Sequence, residues 1–189
     1  MTHGIAEGLR ANTRRAVIAQ AAFVLVAGAL VALSRRYFDL HIGVPGHTGL
    51  LWMFLLVYSR GLVDRPGAGV LIGVSAALWL EPLGAKHTLP YNLLLHASVG
   101  SVVDVMARAP FVRLATPAGG LLAGAFAHAG KYGFILAHAK VLALPKNFLL
   151  IGVLESFGLH LLFGAVGGLA AGLVIWANLK SSGRVGTAE

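Results

Sequence analysis

Ionisable and hydrogen-bonding side chains recur inside the apolar stretches of this sequence, where a charge is costly unless it is paired or faces water. His128, Lys131 and Tyr132 stand three and four residues apart, a spacing that places them on one face of a helix. Imidazole, ammonium, carboxylate and ring groups together can bind a small molecule through charges, hydrogen bonds and stacking. The candidate site residues are Trp79, Glu81, Asn92, His96, His128, Lys131, Tyr132, Glu155 and His160.

An alternative for the same residues is a set of structural pairs between helices, such as Lys131 with Glu155. A buried pair of this kind neutralises both charges without any ligand. Both interpretations stay open on the sequence. Two further acid–base pairs at a spacing of four residues are predicted to be structural: Arg60 with Asp64, and Asp104 with Arg108.

Motifs that would indicate an enzyme do not accompany these residues. The sequence has no phosphate-binding loop, no HExxH and no Gly-x-Ser-x-Gly elbow, so we expect no enzymatic activity and no cofactor. It has no cysteine, which excludes disulfides and thiolate metal sites, whereas its 8 histidines leave metal binding open. The 15 basic residues are scattered singly or in pairs, unlike the dense basic face of a nucleic-acid-binding protein.

The composition predicts that a lipid bilayer surrounds the chain. Its 189 residues are 57% hydrophobic and 12% charged, with a mean hydropathy of +0.79. A soluble domain would carry about 25% charged residues. We therefore predict an all-α integral membrane protein, a single domain over residues 1–189. About six apolar stretches are predicted to span the membrane, at 16–34, 48–63, 67–84, 90–107, 116–138 and 147–178.

Basic residues predict the orientation of this bundle. With both termini inside, the inner segments hold nine lysines and arginines and the outer segments five. Positive residues favour the inner side, so we expect an N-in, C-in protein of the bacterial cytoplasmic (inner) membrane. The candidate site residues then gather in the outer half of helices three to six.

The segment between the first two helices is polar and punctuated by glycines. In the predicted topology it lies directly above the candidate site. Such a loop can close over a ligand as a lid, and an ordinary connector is the alternative. The residues proposed for the lid are His41, Pro45 and His47.

Small residues at four-residue spacing mark three helices. Such stripes let two backbones approach closely, either within the bundle or against another subunit. They comprise Gly69, Gly73 and Ala77, then Gly120 and Gly124, and finally Gly164, Gly168 and Gly172.

Six predicted helices in 189 residues and a lid-like first loop resemble the substrate-binding S components of energy-coupling factor (ECF) transporters. The segment from Leu62 to Gly73, LVDRPGAGVLIG, is similar to the glycine-rich start of their third helix. The resemblance implies a membrane component that binds a vitamin-like compound or a metal ion from outside. It further implies a transmembrane coupling protein and ATPase subunits as partners. The cobalt- and nickel-specific branch has a histidine at position two, where this chain has Thr2.

Two other functions fit the same residues. A haem-binding membrane anchor of a respiratory complex is one, because His96, His128 and His160 lie within predicted helices, where paired imidazoles can ligate iron. The other is a structural subunit of a membrane complex, whose small-residue stripes bind other helices.

Overall fold

A computed structural model describes residues 2–38, 44–63, 65–141 and 146–183, and the side chains at 14–38, 44–63, 65–138 and 155–183. Within these ranges the chain contains helices and no strands, which confirms the predicted all-α class and the number of helices. The six helices are α1 (Thr2–Tyr37), α2 (Gly49–Gly61), α3 (Ala68–Leu80), α4 (Leu89–Arg108), α5 (Pro117–Val141) and α6 (Lys146–Ser181).

Two helix boundaries differ clearly from the expected ones. Helix α1 begins at Thr2, well before the apolar stretch, because residues 2–15 contain no proline and several good helix formers. Helix α3 ends at Leu80 rather than near 84, because Pro82 cannot donate the next helical hydrogen bond and Gly84 has a φ of +74°.

Helix α2 is short, and it lies at the centre of the bundle. It contacts all five other helices, which follow one another around it in the order α1, α3, α4, α5, α6. Its residues Trp52, Met53, Leu56 and Val57 are fully buried. A helix that is apolar on every face is expected in such a position.

The glycine stripes hold the helices of this one chain together. A Cβ atom at Gly168 would fall on the carbonyl oxygen of Gly120, and one at Gly124 on that of Gly164. A Cβ at Gly73 would fall on the carbonyl oxygen of His96. Helices α5 and α6, and likewise α3 and α4, therefore pack backbone against backbone. These stripes thus serve packing within the bundle, the first of the two roles considered above.

Large apolar side chains are exposed on every helix except α2. Among the residues with described side chains, two stretches could cross a membrane by length and composition, Arg14–Tyr37 and Glu155–Ser181, so six membrane spans are not confirmed. Helices α2 and α3 are also apolar but shorter. The described part of the chain thus has an apolar exterior around a core that holds several polar side chains.

A buried ion pair connects α2 to α4. The Arg60 guanidinium donates to Asp104 Oδ1, and its Nη1 donates to the Val63 carbonyl at 2.6 Å. The other carboxylate oxygen of Asp104 accepts from the Val70 amide at 3.0 Å. The expected pair of Asp104 with Arg108 is wrong, because Arg108 is exposed whereas Arg60 faces Asp104 inside the bundle. Asp64, the expected partner of Arg60, lies outside the described residues.

Candidate functional site

A cluster of polar side chains lies around Trp52, at the end of the bundle opposite the Arg60–Asp104 pair. Trp52 is only 1% exposed, and the rings of His96 and His128 lie 5.8 and 5.9 Å from its ring centroid. Two cationic heads also lie against this ring, the Arg35 guanidinium at 5.3 Å and the Lys131 ammonium at 5.6 Å. The Trp52 cluster consists of Arg35, Trp52, His96, His128, Lys131, Tyr132 and His160.

Arg35, near the end of α1, meets His96 of α4. The Arg35 Nη1 lies 2.9 Å from His96 Nε2, and His96 Nδ1 lies 2.7 Å from the Asn92 carbonyl oxygen. A carbonyl only accepts, so His96 Nδ1 carries the proton and Nε2 accepts from the guanidinium. His96 is therefore neutral in this arrangement. The Asn92 side chain is buried and donates to the His87 carbonyl at 3.0 Å.

Lys131 and His128 form a second contact of the same kind within α5. The Lys131 ammonium lies 3.5 Å from His128 Nε2, while His128 Nδ1 donates to the His160 carbonyl at 2.8 Å. His160 in turn donates from Nδ1 to the Ser156 carbonyl at 2.7 Å, and the Tyr132 ring lies 4.9 Å from its imidazole. Backbone carbonyls thus fix the orientation of all three histidines in the cluster.

The two cations of the cluster have no carboxylate partner among the described residues. Lys131 is 7% exposed and Arg35 is half-buried, and both meet neutral histidines. Glu81 and Glu155 are exposed, so the suggested pair of Lys131 with Glu155 does not form. A neutral imidazole accepts a hydrogen bond but offsets no charge.

Trp52 supplies a further unmet hydrogen-bonding group. Its Nε1–H is buried, and it is the one such side-chain atom without a partner within the ranges whose side chains are described. Buried polar groups in native proteins are nearly always paired, so an isolated donor calls for an explanation such as a ligand or a bound water. The donor belongs to the residue around which both cations and two histidines assemble.

The described end of the predicted lid loop packs directly on the cluster. Gly46, at a φ of +83°, lies so close to His160 that a Cβ there would be 3.1 Å from Nδ1. The imidazole of His128 occupies the space that a Cβ of Gly49 would need. Pro45 and His47 belong to this turn, and His47 Nδ1 donates to the Val44 carbonyl at 2.6 Å. His41 lies outside the described residues.

A cavity of about 200 Å³ adjoins the cluster. It is lined by Arg35, which belongs to the cluster, and by Asn92, whose carbonyl accepts from His96. No carboxylate lines it, whereas Arg35, Arg36 and Lys86 all do. Arg36 is held there by donation from Nε to the Leu83 carbonyl at 2.8 Å. The complete lining is Arg35, Arg36, Thr48, Leu80, Ala85, Lys86, His87 and Asn92.

The structure brings together some of the predicted site residues and not others. Trp79 is 44% exposed, and Glu81 and Glu155 are exposed, so these three lie outside the cluster. Arg35 and Trp52 belong to the cluster but were missed. Only the sequence position of Arg35, at the end of an apolar helix, could have drawn attention to it. The predicted residues that the cluster and its edge contain are Asn92, His96, His128, Lys131, Tyr132 and His160.

The histidines do not form a ready metal site. Among the residues with described side chains, no group of three or more histidines and carboxylates is arranged to hold a metal ion. The Nε2 atoms of His96 and His128 both face cations, which a metal or a haem iron would have to displace. No protein-family model, curated protein or solved structure matches the chain.

Proposed function

We propose that this protein is a multi-pass membrane protein that binds a small molecule for uptake, in the manner of the ECF S components that it resembles. It would not be an enzyme. The observation that carries the proposal is the Trp52 cluster, in which a half-buried arginine, a buried lysine and an unpaired buried donor lie under a glycine-containing turn. Coupling and ATPase subunits would be its partners.

The membrane setting is supported by the exterior of the bundle. Exposed apolar surfaces larger than a few hundred Å² mark contact with a membrane or another protein, and here they extend over five helices. Helix α2, at 13 residues, spans only about 20 Å, which is less than a bilayer core. Because it contacts all five other helices and exposes no large apolar side chain, its length need not match the lipid.

Exposed aromatic side chains near both ends of the bundle support the presence of two membrane–water interfaces. Tyr37 and Trp79 lie near the end of the bundle that holds the cluster, and Trp176 lies near the other end. Tyrosine and tryptophan are enriched where a membrane meets water. This explains Trp79 better than a role in ligand binding does. In the N-in, C-in orientation the cluster faces outside, as uptake across the bacterial inner membrane requires.

A gain in folding stability does not explain why the chain places these groups together in the Trp52 cluster. A buried unpaired donor typically costs ~1–3 kcal/mol, and buried charges without opposite partners cost more. Natural proteins retain such arrangements mainly at functional sites. The turn at Gly46 and the start of α2 at Gly49 fit the same role, because they pack against His160 and His128 of the cluster.

The test is to purify the whole chain in mild detergent and identify the small molecules that it carries by mass spectrometry. We expect a bound molecule in the parent protein and in Trp79→Phe, and its loss or depletion in Trp52→Phe. Trp79 is the matched control, because it lies at the same end of the bundle and is 44% exposed. A Soret band in the purified protein would favour the haem anchor instead. Equal loading of the two variants would contradict the proposed site.

A further inference from the structure

We propose that the Trp52 cluster binds the oxyanion group, a carboxylate or a phosphate, of a small molecule. Arg35, Lys131 and Trp52 Nε1–H would be its donors. This inference rests on the proposed function and names the chemical class of the ligand. It excludes neutral and cationic compounds, and free metal ions, as ligands of this site.

The charge of the cluster favours an anionic ligand. Arg35 and Lys131 place two basic groups against one tryptophan ring, and the described residues offer them no carboxylate. A guanidinium is not deprotonated in proteins, so at least the charge on Arg35 persists. Buried charges are paired in native proteins. With no carboxylate beside them in the described part of the chain, Arg35 and Lys131 favour an anionic ligand. A cationic ligand would instead add a further positive charge.

The hydrogen-bonding groups of the cluster also favour an anion. Each histidine of the cluster donates from Nδ1 to a backbone carbonyl, and the Nε2 acceptors of His96 and His128 already face Arg35 and Lys131. Among the buried side-chain atoms described, the one without a partner is a donor, Trp52 Nε1–H. The other N–H groups of Arg35 and of Lys131 are donors too. A group with several acceptor atoms and no donor satisfies such a set, which describes a carboxylate or a phosphate.

The cavity beside the cluster is basic as well. It is lined by three basic side chains and no acidic one, and it shares Arg35 with the cluster. A cleft of one charge sign raises the local concentration of ligands of the opposite sign. Arg36 and Lys86 would thus attract an anion from the outer solution toward Arg35, without themselves belonging to the cluster.

The experiment uses three probes of one shape and different charge: benzoate, benzamide and benzamidinium. The whole chain, freed of bound molecules by dialysis, is titrated with each by calorimetry and thermal melting at constant ionic strength. We expect saturable binding of benzoate and no binding of the other two. Inorganic phosphate is tested separately, to determine whether a phosphate group binds when no aromatic ring is attached to it.

Variants locate the binding of benzoate. Arg35→Gln should weaken it ~10–100-fold, the loss expected for one charge-assisted hydrogen bond. Trp52→Phe, which keeps a ring but removes the N–H, should weaken it ~10-fold. Arg65→Gln is the matched control, since it removes the same charge from an exposed residue at the opposite end of the bundle. If Arg35→Gln does not fold, Trp52→Phe and Arg35→Lys carry the test.

The outcomes separate the two proposals. If the protein copurifies with an uncharged or cationic molecule, or prefers benzamide or benzamidinium, the uptake proposal stands and the oxyanion inference is overturned. Benzoate binding that is equally strong in Arg35→Gln, Trp52→Phe and Arg65→Gln also overturns the inference. If no probe binds and no small molecule copurifies, both proposals are overturned.

Discussion

Two arginines occupy comparable positions at opposite ends of the bundle, and their surroundings differ. Arg60 meets Asp104 and the Val63 carbonyl, and the Val70 amide pairs with the same carboxylate. This network is closed, because its charges cancel and its hydrogen-bonding groups have partners within the chain. It links α2 to α4 and to the start of α3.

Arg35, at the other end, meets a neutral histidine and the face of Trp52. Lys131 has contacts of the same kind, to His128 and to Trp52. Among the residues with described side chains this network is open, because no carboxylate balances its two cations and Trp52 Nε1–H has no partner. Burial of a charge therefore does not by itself distinguish a structural role from a functional one, whereas the presence or absence of its counter-charge does.

The largest effect should come from breaking the closed network. Asp104→Asn leaves Arg60 buried without its carboxylate, which typically costs ~3–5 kcal/mol. Denaturation in detergent should show a loss of stability of that size. Arg60→Met added to Asp104→Asn should recover most of the loss, because no buried charge then remains. An Asp104→Asn protein as stable as the parent would show that the network contributes nothing to stability.

A smaller effect should follow from crowding the open network. In Gly49→Ala the added methyl group would occupy the space of the His128 imidazole, and such overpacking typically costs ~1–3 kcal/mol. Gly133→Ala is the matched control, because no atom lies within 4 Å of the added Cβ. Thermal melts of the two variants should differ, with only Gly49→Ala below the parent. Identical melts would mean that the start of α2 does not pack on His128.

The smallest effect on stability should come from Lys131→Met, although it removes a buried charge. No carboxylate is left unpaired, so we expect the ligand-free protein to keep its stability within ~1 kcal/mol or to gain some. Stabilisation by benzoate should be lost. Glu155→Gln should change neither property, because Glu155 is exposed. A large loss in Lys131→Met that Glu155→Gln rescues would restore the structural pair.

The sequence allowed the helices to be predicted well, since apolar stretches bounded by proline, glycine and charge are local signals. The candidate site could be predicted in part. His96, His128, Lys131 and His160 stand out because each interrupts an apolar helix, and all four lie in the Trp52 cluster. Their presence there depends on depth along the helix, which the sequence reveals.

Residues on the wrong face could not be identified in the same way. Trp79, Glu81 and Glu155 have suitable depths, but they point away from the core, and only helix packing decides that direction. Arg35 gives no local signal of a site, because a basic residue at the end of an apolar helix is typical of a membrane boundary. Trp52 was hidden because a tryptophan in a buried apolar helix has no local feature that shows its Nε1–H to be unpaired.

The most direct test of the account is a crystal structure of the whole chain with 4-bromobenzoate, whose bromine can be located by anomalous scattering. We expect a bromine peak inside the bundle beside Trp52, with the carboxylate within hydrogen-bonding distance of Arg35 and Lys131. A peak only in the apolar groove between α1 and α3, near Val24 and Leu71, with no probe at the cluster, would contradict it.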